Sequence, residues 1–110
     1  MFKWISLVTK RPDLSSDQFR ERWLDEHVTQ VLQLSGLREY VVDFVTDPGP
    51  GDPAAIVTVR FDTRADSERA FKRPGLREAL EKSRDECAAS ARTLYVDERV
   101  IKSVTINGMR

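Results

Sequence analysis

Residues 14–34 (LSSDQFRERWLDEHVTQVLQL) constrain the fold more than any other part of the chain. Phe19, Trp23, His27 and Val31 recur at i, i+4, with Leu24, Val28 and Leu32 beside them. That spacing predicts one helix with a broad apolar stripe that has to be buried. Ser15 followed by Gln18 makes a capping box, and Leu14 with Phe19 makes a hydrophobic staple across the helix start. Asp17 in the first turn suits the positive end of the helix dipole. Gly36 can close the helix as its C′ residue. The stripe also carries the chain's single histidine.

The flanking segments read as strands. In residues 2–9 (FKWISLVT), Phe2, Trp4 and Val8 point one way and Ile5 and Leu7 the other. Pro12 bars continuation of that strand. A second strand spans 38–45, with Tyr40, Val42 and Phe44 on one face and Val41 and Val45 on the other. The Pro/Gly-rich segment 46–53 (TDPGPGDP) is a loop. A third strand, 55–61, sets Val57, Val59 and Phe61 against Ile56, Thr58 and Arg60. Asp62 or Thr63 can cap a helix over 64–71, and Pro74 interrupts it. A further helix is predicted over 76–91, with Leu76, Ala79, Leu80, Ser83, Cys87 and Ala91 as its inner stripe. A last strand is predicted over 93–102. The tail, 103–110, reads as either a short extra strand or a dimer arm.

The order β-α-β-β-α-β is the ferredoxin-like α+β arrangement, a four-stranded antiparallel sheet with the helices on one face. Helices cover only that face, yet the first three strands are apolar on both. The uncovered face therefore calls for a partner, most simply the same face of a second copy, closing a dimeric barrel. The plainer alternative is a monomer with scattered surface apolar residues.

Composition narrows the function classes. The chain of 110 residues is read as one domain, with 18 Lys+Arg balancing 18 Asp+Glu. No basic stripe suggests nucleic acid. One cysteine, Cys87, excludes an internal disulfide and a cysteine-cluster metal site. The N-terminus is too short for a membrane span and lacks a signal-peptide pattern, so the expectation is a cytoplasmic protein with no membrane partner. One His and one Cys also rule out a His-rich metal site, and there is no GxGxxG, Walker or GxSxG loop. The expectation is a protein that needs neither metal nor cofactor.

The chain resembles the EthD-like branch of the dimeric α+β barrel superfamily. The resemblance lies in Lys10-Arg11-Pro12 after the opening strand, Leu14-Ser15, and Phe19, Trp23 and His27 at F-x₃-W-x₃-H spacing. It continues in Gly36-Leu37-Arg38-Glu39-Tyr40 before the second strand, Arg73-Pro74, Arg84-Asp85-Glu86 and the closing strand. The long 46–53 loop and the longer tail depart from that pattern. The resemblance implies homodimers with a pocket between each sheet and its helices. It does not imply one reaction. The prototype is linked to degradation of an alkyl ether beside a cytochrome P450 system. The wider superfamily includes muconolactone-type isomerases, aromatic polyketide cyclases and dehydratases, cofactor-independent monooxygenases and haem-degrading enzymes. Fold alone therefore leaves function open.

His27 is the leading candidate for chemistry, since imidazole is the side chain whose ordinary pKa lies near 7. The plainer alternative is a core histidine with satisfied nitrogens. Trp23 reads as a flat wall for an aromatic ligand or as core packing, and Phe19 as a second wall. Tyr40 can donate to a substrate carbonyl or simply reach solvent, and Tyr95 is comparable. Arg60 can bind an anionic group or pair with a carboxylate such as Asp43. Asp85 matches a family position near the pocket rim and is a candidate to orient His27. Cys87 reads as a small buried hydrophobe.

The expectation is a small cofactor-independent enzyme acting on an aromatic, polyketide-like or lactone intermediate. His27 would move a proton in cyclisation, dehydration or isomerisation, and Tyr40 would stabilise an enolate. The alternatives are a cofactor-free monooxygenase or haem-handling protein, with His27 as the available haem ligand, and a non-catalytic binder of hydrophobic metabolites.

Overall fold

In the computed structural model, which describes residues 1–104, strands β1 (Phe2–Lys10), β2 (Glu39–Phe44), β3 (Ala55–Phe61) and β4 (Ala88–Val96) form one antiparallel sheet. The strand order is β2-β3-β1-β4. The helical segments are α1 (Ser16–Arg22), a π-helical turn (Trp23–His27), α2 (Val28–Val31), α3 (Arg64–Phe71) and α4 (Leu76–Asp85). This is the ferredoxin-like α+β fold expected from the sequence.

Register separates the two faces. Trp4 pairs with Val59 and Tyr95, Ser6 with Val57 and Thr93, and Val8 with Ala55 and Ala91. Tyr40, Val42 and Phe44 lie opposite Val59, Val57 and Ala55. Because side chains alternate along a strand, these residues share the face under the helices. There Val8, Ala55, Val57 and Val59 join Leu14, Phe19, Trp23, Val31, Leu34 and Leu80 in one buried cluster, with Trp4, Tyr40, Val42 and Phe44 packed against it. Phe19 packs between Trp23 and Phe44 at ring distances of 5.7 and 6.0 Å. The other face carries Lys3, Ile5, Leu7, Val41, Ile56, Thr58, Arg60, Leu94 and Val96, and no helix lies on it.

The capping box forms as expected: Ser15 Oγ accepts from the Gln18 amide at 3.1 Å, and Gln18 Oε1 accepts from the Ser15 amide at 2.8 Å. The first helix is nevertheless not uniform. The Val28 amide donates to the Trp23 carbonyl, an i→i−5 step that makes residues 23–27 a π turn. The buried stripe is also narrower than read, since Leu24 and Leu32 are exposed. Regular helix ends at Val31, ahead of Gly36, which adopts φ +82° in the following turn.

The C-terminal half needs a larger correction. α4 stops at Asp85, and the alanine-rich segment 88–91 is already strand. Its pairing with β1 from Lys3↔Val96 to Lys10↔Ala88 outweighs the helical propensity of alanine. The closing strand is thus 88–96 rather than 93–102, and Cys87 sits in the turn between α4 and β4. The expected tail strand or arm, 103–110, lies mostly outside the described residues. Among the described residues no helix is long and apolar enough to cross a membrane.

Candidate active site

Between the helix-covered face and the helices lies an open cleft of about 490 Å³. Trp4, Ser6, Val57, Val59, Thr93 and Tyr95 line it from the sheet, and Trp23, His27, Val31 and Leu34 from the first helical unit. α3 and α4 close the third side. The charged lining residues come from those two helices and the residue that caps α3: Glu68, Lys72, Arg77, Glu81 and Arg84.

His27 is 8% exposed and lies against the Trp23 ring, 4.4 Å between centroids. Its Nδ1 is 2.7 Å from Ser83 Oγ, and Ser83 Oγ donates to the Leu80 carbonyl at 3.1 Å. A serine hydroxyl has one proton. Where that proton goes to Leu80, Ser83 accepts from His27, and Nδ1 then carries the ring proton and Nε2 the lone pair. No buried side-chain nitrogen or oxygen among the described residues lacks a hydrogen-bond partner. Nε2 has none, so it keeps access to the cleft. Burial, reinforced by the Arg84 guanidinium, pulls the His27 pKa down to about 4. At neutral pH the ring is uncharged and its acceptor nitrogen is available.

Tyr40 presents the complementary group. Its oxygen accepts from Trp23 Nε1 at 3.0 Å. Its own proton has no protein acceptor among the described residues, and the residue lines the cleft. Burial pushes its pKa up to about 12, so it stays a donor. Trp23, 2% exposed, therefore both packs as a core residue and fixes the groups on either side of it. It touches His27 through its ring and Tyr40 through its N–H.

The remaining sequence candidates are dispersed. Phe19 is buried beneath Trp23 and contacts no cleft space. Tyr95 reaches the cleft from the edge strand, 63% exposed, with Phe2 at 5.6 Å and the Arg64 guanidinium 5.3 Å above its ring. Arg60 lies on the opposite face of the sheet. There it is held by Glu39 at 2.6 Å and Glu98 at 2.7 Å, not by Asp43. Asp85 is exposed and pairs with Arg84; the residue that orients His27 is Ser83. Cys87 is fully buried, and burial lifts its thiol to about 11, which suits a structural role. Sequence reading placed Ser83 on the inner stripe of its helix without assigning it a role; a hydroxyl at that position was the available signal. Among the described residues no group of three or more His, Cys, Asp or Glu is placed to hold a metal ion.

Solved structures share this fold. An ethyl tert-butyl ether D (EthD) family protein from Bacillus halodurans superposes with a TM-score of 0.69 at 17% identity, over 90% of this chain and 100% of that one. A dimeric ferredoxin-like protein of unknown function from Thermobifida fusca gives 0.67 at 15% identity, over 86% and 88%. SnoaB, a cofactor-independent oxygenase from Streptomyces nogalater, gives 0.64 at 10% identity, over 92% and 97%. No protein-family model matches the chain, and no curated protein matches it significantly. The likeness to these structures is one of fold, and the EthD resemblance read from the sequence is met at that level.

Proposed function

We propose that the chain is a small enzyme that moves a proton on an aromatic or polyketide-like ligand held in the cleft. The reaction would be a cyclisation, dehydration or isomerisation. One observation carries this reading: a neutral imidazole with a free Nε2 and a tyrosine with a free hydroxyl proton share one aromatic-lined cleft, both held by Trp23. Nε2 takes a proton from a carbon next to a carbonyl, and Tyr40 donates to the oxygen as the enolate forms. A base whose pKa lies near 4 is weak, so the substrate C–H has to be acidified by conjugation, as it is in polyketide and lactone intermediates. Ser83 holds the imidazole in the reactive tautomer. None of these steps uses a cofactor.

The open sheet face supports a homodimer. Ile5 sits between Thr58 and Leu94, and Leu7 between Ile56 and Arg92, so an apolar patch runs across three strands. Two such faces packed together would remove it from water. The cytoplasm is the compartment that suits a chain with one buried thiol.

The single histidine makes the test direct. The His27 ring signals are followed by NMR between about pH 3 and 9 while aromatic ketones and lactones are added, and the same ligands are assayed for turnover. Ligand-dependent movement of the His27 midpoint is expected, with turnover abolished in His27→Ala. Ligands that bind without disturbing His27, or turnover that survives His27→Ala, would overturn the reading. The similarity of fold to SnoaB favours one second reading, a cofactor-independent oxygenase using the same deprotonation. Oxygen consumption during turnover distinguishes it.

A further inference from the structure

The charges around the cleft are not spread evenly. The sheet side and the first helical unit contribute neutral lining residues, His27 being uncharged at neutral pH. All charge in the lining comes from the stretch 68–84, where α4 presents Arg77, Leu80, Glu81 and Arg84 at helical spacing, α3 presents Glu68, and Lys72 caps α3. The two acids in that stretch of the lining are occupied. Glu68 pairs with Arg64 at 3.2 Å and Glu81 with Arg77 at 3.8 Å. Arg84 is partly buried, and its only carboxylate partner among the described residues is the exposed Asp85, which does not line the cleft. Lys72 has no carboxylate within 4.0 Å among the described residues. In a chain with no net charge, the cleft lining sets three cations, Lys72, Arg77 and Arg84, against two carboxylates, Glu68 and Glu81, an excess of one positive charge.

We infer that the cleft takes a planar aromatic ligand carrying a carboxylate, with its ring system against Trp4 and Tyr95 and its carboxylate on Arg84 and Lys72. This rests on the proposed cleft site and names the class of ligand it accepts. A guanidinium and an ammonium in the lining of a largely apolar cleft are suited to a charge-assisted carboxylate contact. The opposite placement, a cationic ligand, would set like charges against Arg84. The bound carboxylate also serves the chemistry. Arg84 opposes protonation of His27, and an anion seated on Arg84 offsets that field, bringing the imidazole closer to the strength a general base needs.

Naphthoate and naphthamide test this, being nearly isosteric and differing in charge. Affinity is measured by quenching of tryptophan fluorescence, and His27 is followed by NMR. Naphthoate is expected to bind about tenfold tighter or more, to lose that advantage as salt is raised, and to move the His27 midpoint upward where naphthamide does not. The advantage should vanish in the double variant Arg84→Gln with Lys72→Gln and persist in the charge-keeping variant Arg84→Lys with Lys72→Arg. Equal affinities for the two probes, both still disturbing His27, would overturn the carboxylate preference and leave the cleft site standing. A preference that survives the glutamine variant would overturn the assignment of Arg84 and Lys72. If neither probe disturbs His27, the cleft site falls and the inference with it.

Discussion

The two faces of the sheet solve opposite problems with the same four strands. On the covered side of the sheet the neutral polar groups pair with one another, Trp23 with Tyr40, His27 with Ser83 and Ser6 with Thr93, and the charges of the cleft come from the α3 and α4 side. On the open face the polar groups are ionic and clustered, with Arg60 between Glu39 and Glu98, and Lys3 on the same Glu98. The contrast follows from access to water. A charge costs heavily where it is desolvated, so the covered face admits hydroxyl, indole and uncharged imidazole. The open face keeps solvent or a partner surface within reach of its charges. The covered side therefore suits the proposed chemistry, and assembly is the use open to the other.

One substitution placed on each face should break this symmetry most visibly. Val59 is 4% exposed, and Val59→Asp would bury an unpaired carboxylate. The cost is more than about 4 kcal/mol, enough to unfold a domain of this size. Leu7→Asp lies on the open face, partly exposed. It is expected to leave a folded protein, judged by circular dichroism, and to shift sedimentation from dimer to monomer. A Leu7→Asp protein that stays dimeric would sink the face-to-face assembly.

How much of this contrast could be read from the sequence depends on the kind of signal. Alternation with period two exposed both apolar faces of β1 and β3 and assigned each residue to the correct side. The capping box and the i, i+4 stripe located the first helix and aimed Trp23 and His27 at the sheet. Three features escaped. The π turn is a shift in backbone hydrogen bonding that side-chain spacing does not encode. The segment 88–91, AASA, has neither β-branched nor aromatic residues, so only its pairing with β1 makes it strand. The partners of His27 and Arg60 were misjudged because Ser83 and Glu98 are 56 and 38 residues away from them in the chain. Such pairs come from topology rather than local pattern. Tyr40 was legible as a candidate, but that Trp23 takes up its oxygen's acceptor side is visible only in the structure.

Acid should sharpen the comparison next. His27 has a folded pKa near 4 and an ordinary value of 6.5. Between those values the unfolded chain binds a proton that the folded chain does not, so stability falls as pH is lowered through that window. The contribution at pH 7 is on the order of 3 kcal/mol. Urea denaturation at pH 7, 5.5 and 4 should show the decline, and His27→Gln should flatten it. Ser83→Ala acts on the same ring more gently. It leaves Nδ1–H without a partner at a cost of about 1–3 kcal/mol, and it should lower turnover by freeing the tautomer while ligand affinity stays near that of the wild type.

The smallest effect is expected from Arg60, despite its three carboxylate contacts. Arg60 holds Glu39 through Nε and both oxygens of Glu98 through its two terminal nitrogens. Together with Lys3 it pulls the Glu98 carboxyl down to about 2. Glu98 is thereby a depressed acid, so its contribution is present above the ordinary carboxylate range and lost as pH falls toward 2. Glu39 and Glu98 are open to solvent and Arg60 and Lys3 partly so, and ion pairs within reach of water are screened and contribute little. Arg60→Gln should therefore barely change stability near neutral pH in moderate salt. Its signature is the acid limb below about pH 4, which should lose the part that belongs to Glu98 and leave the His27 window untouched. If Arg60→Gln instead destabilised the protein strongly at pH 7, with a loss that grew on dilution, the cluster would be an interface element buried between two copies. The two faces would then differ by what covers them rather than by their access to water.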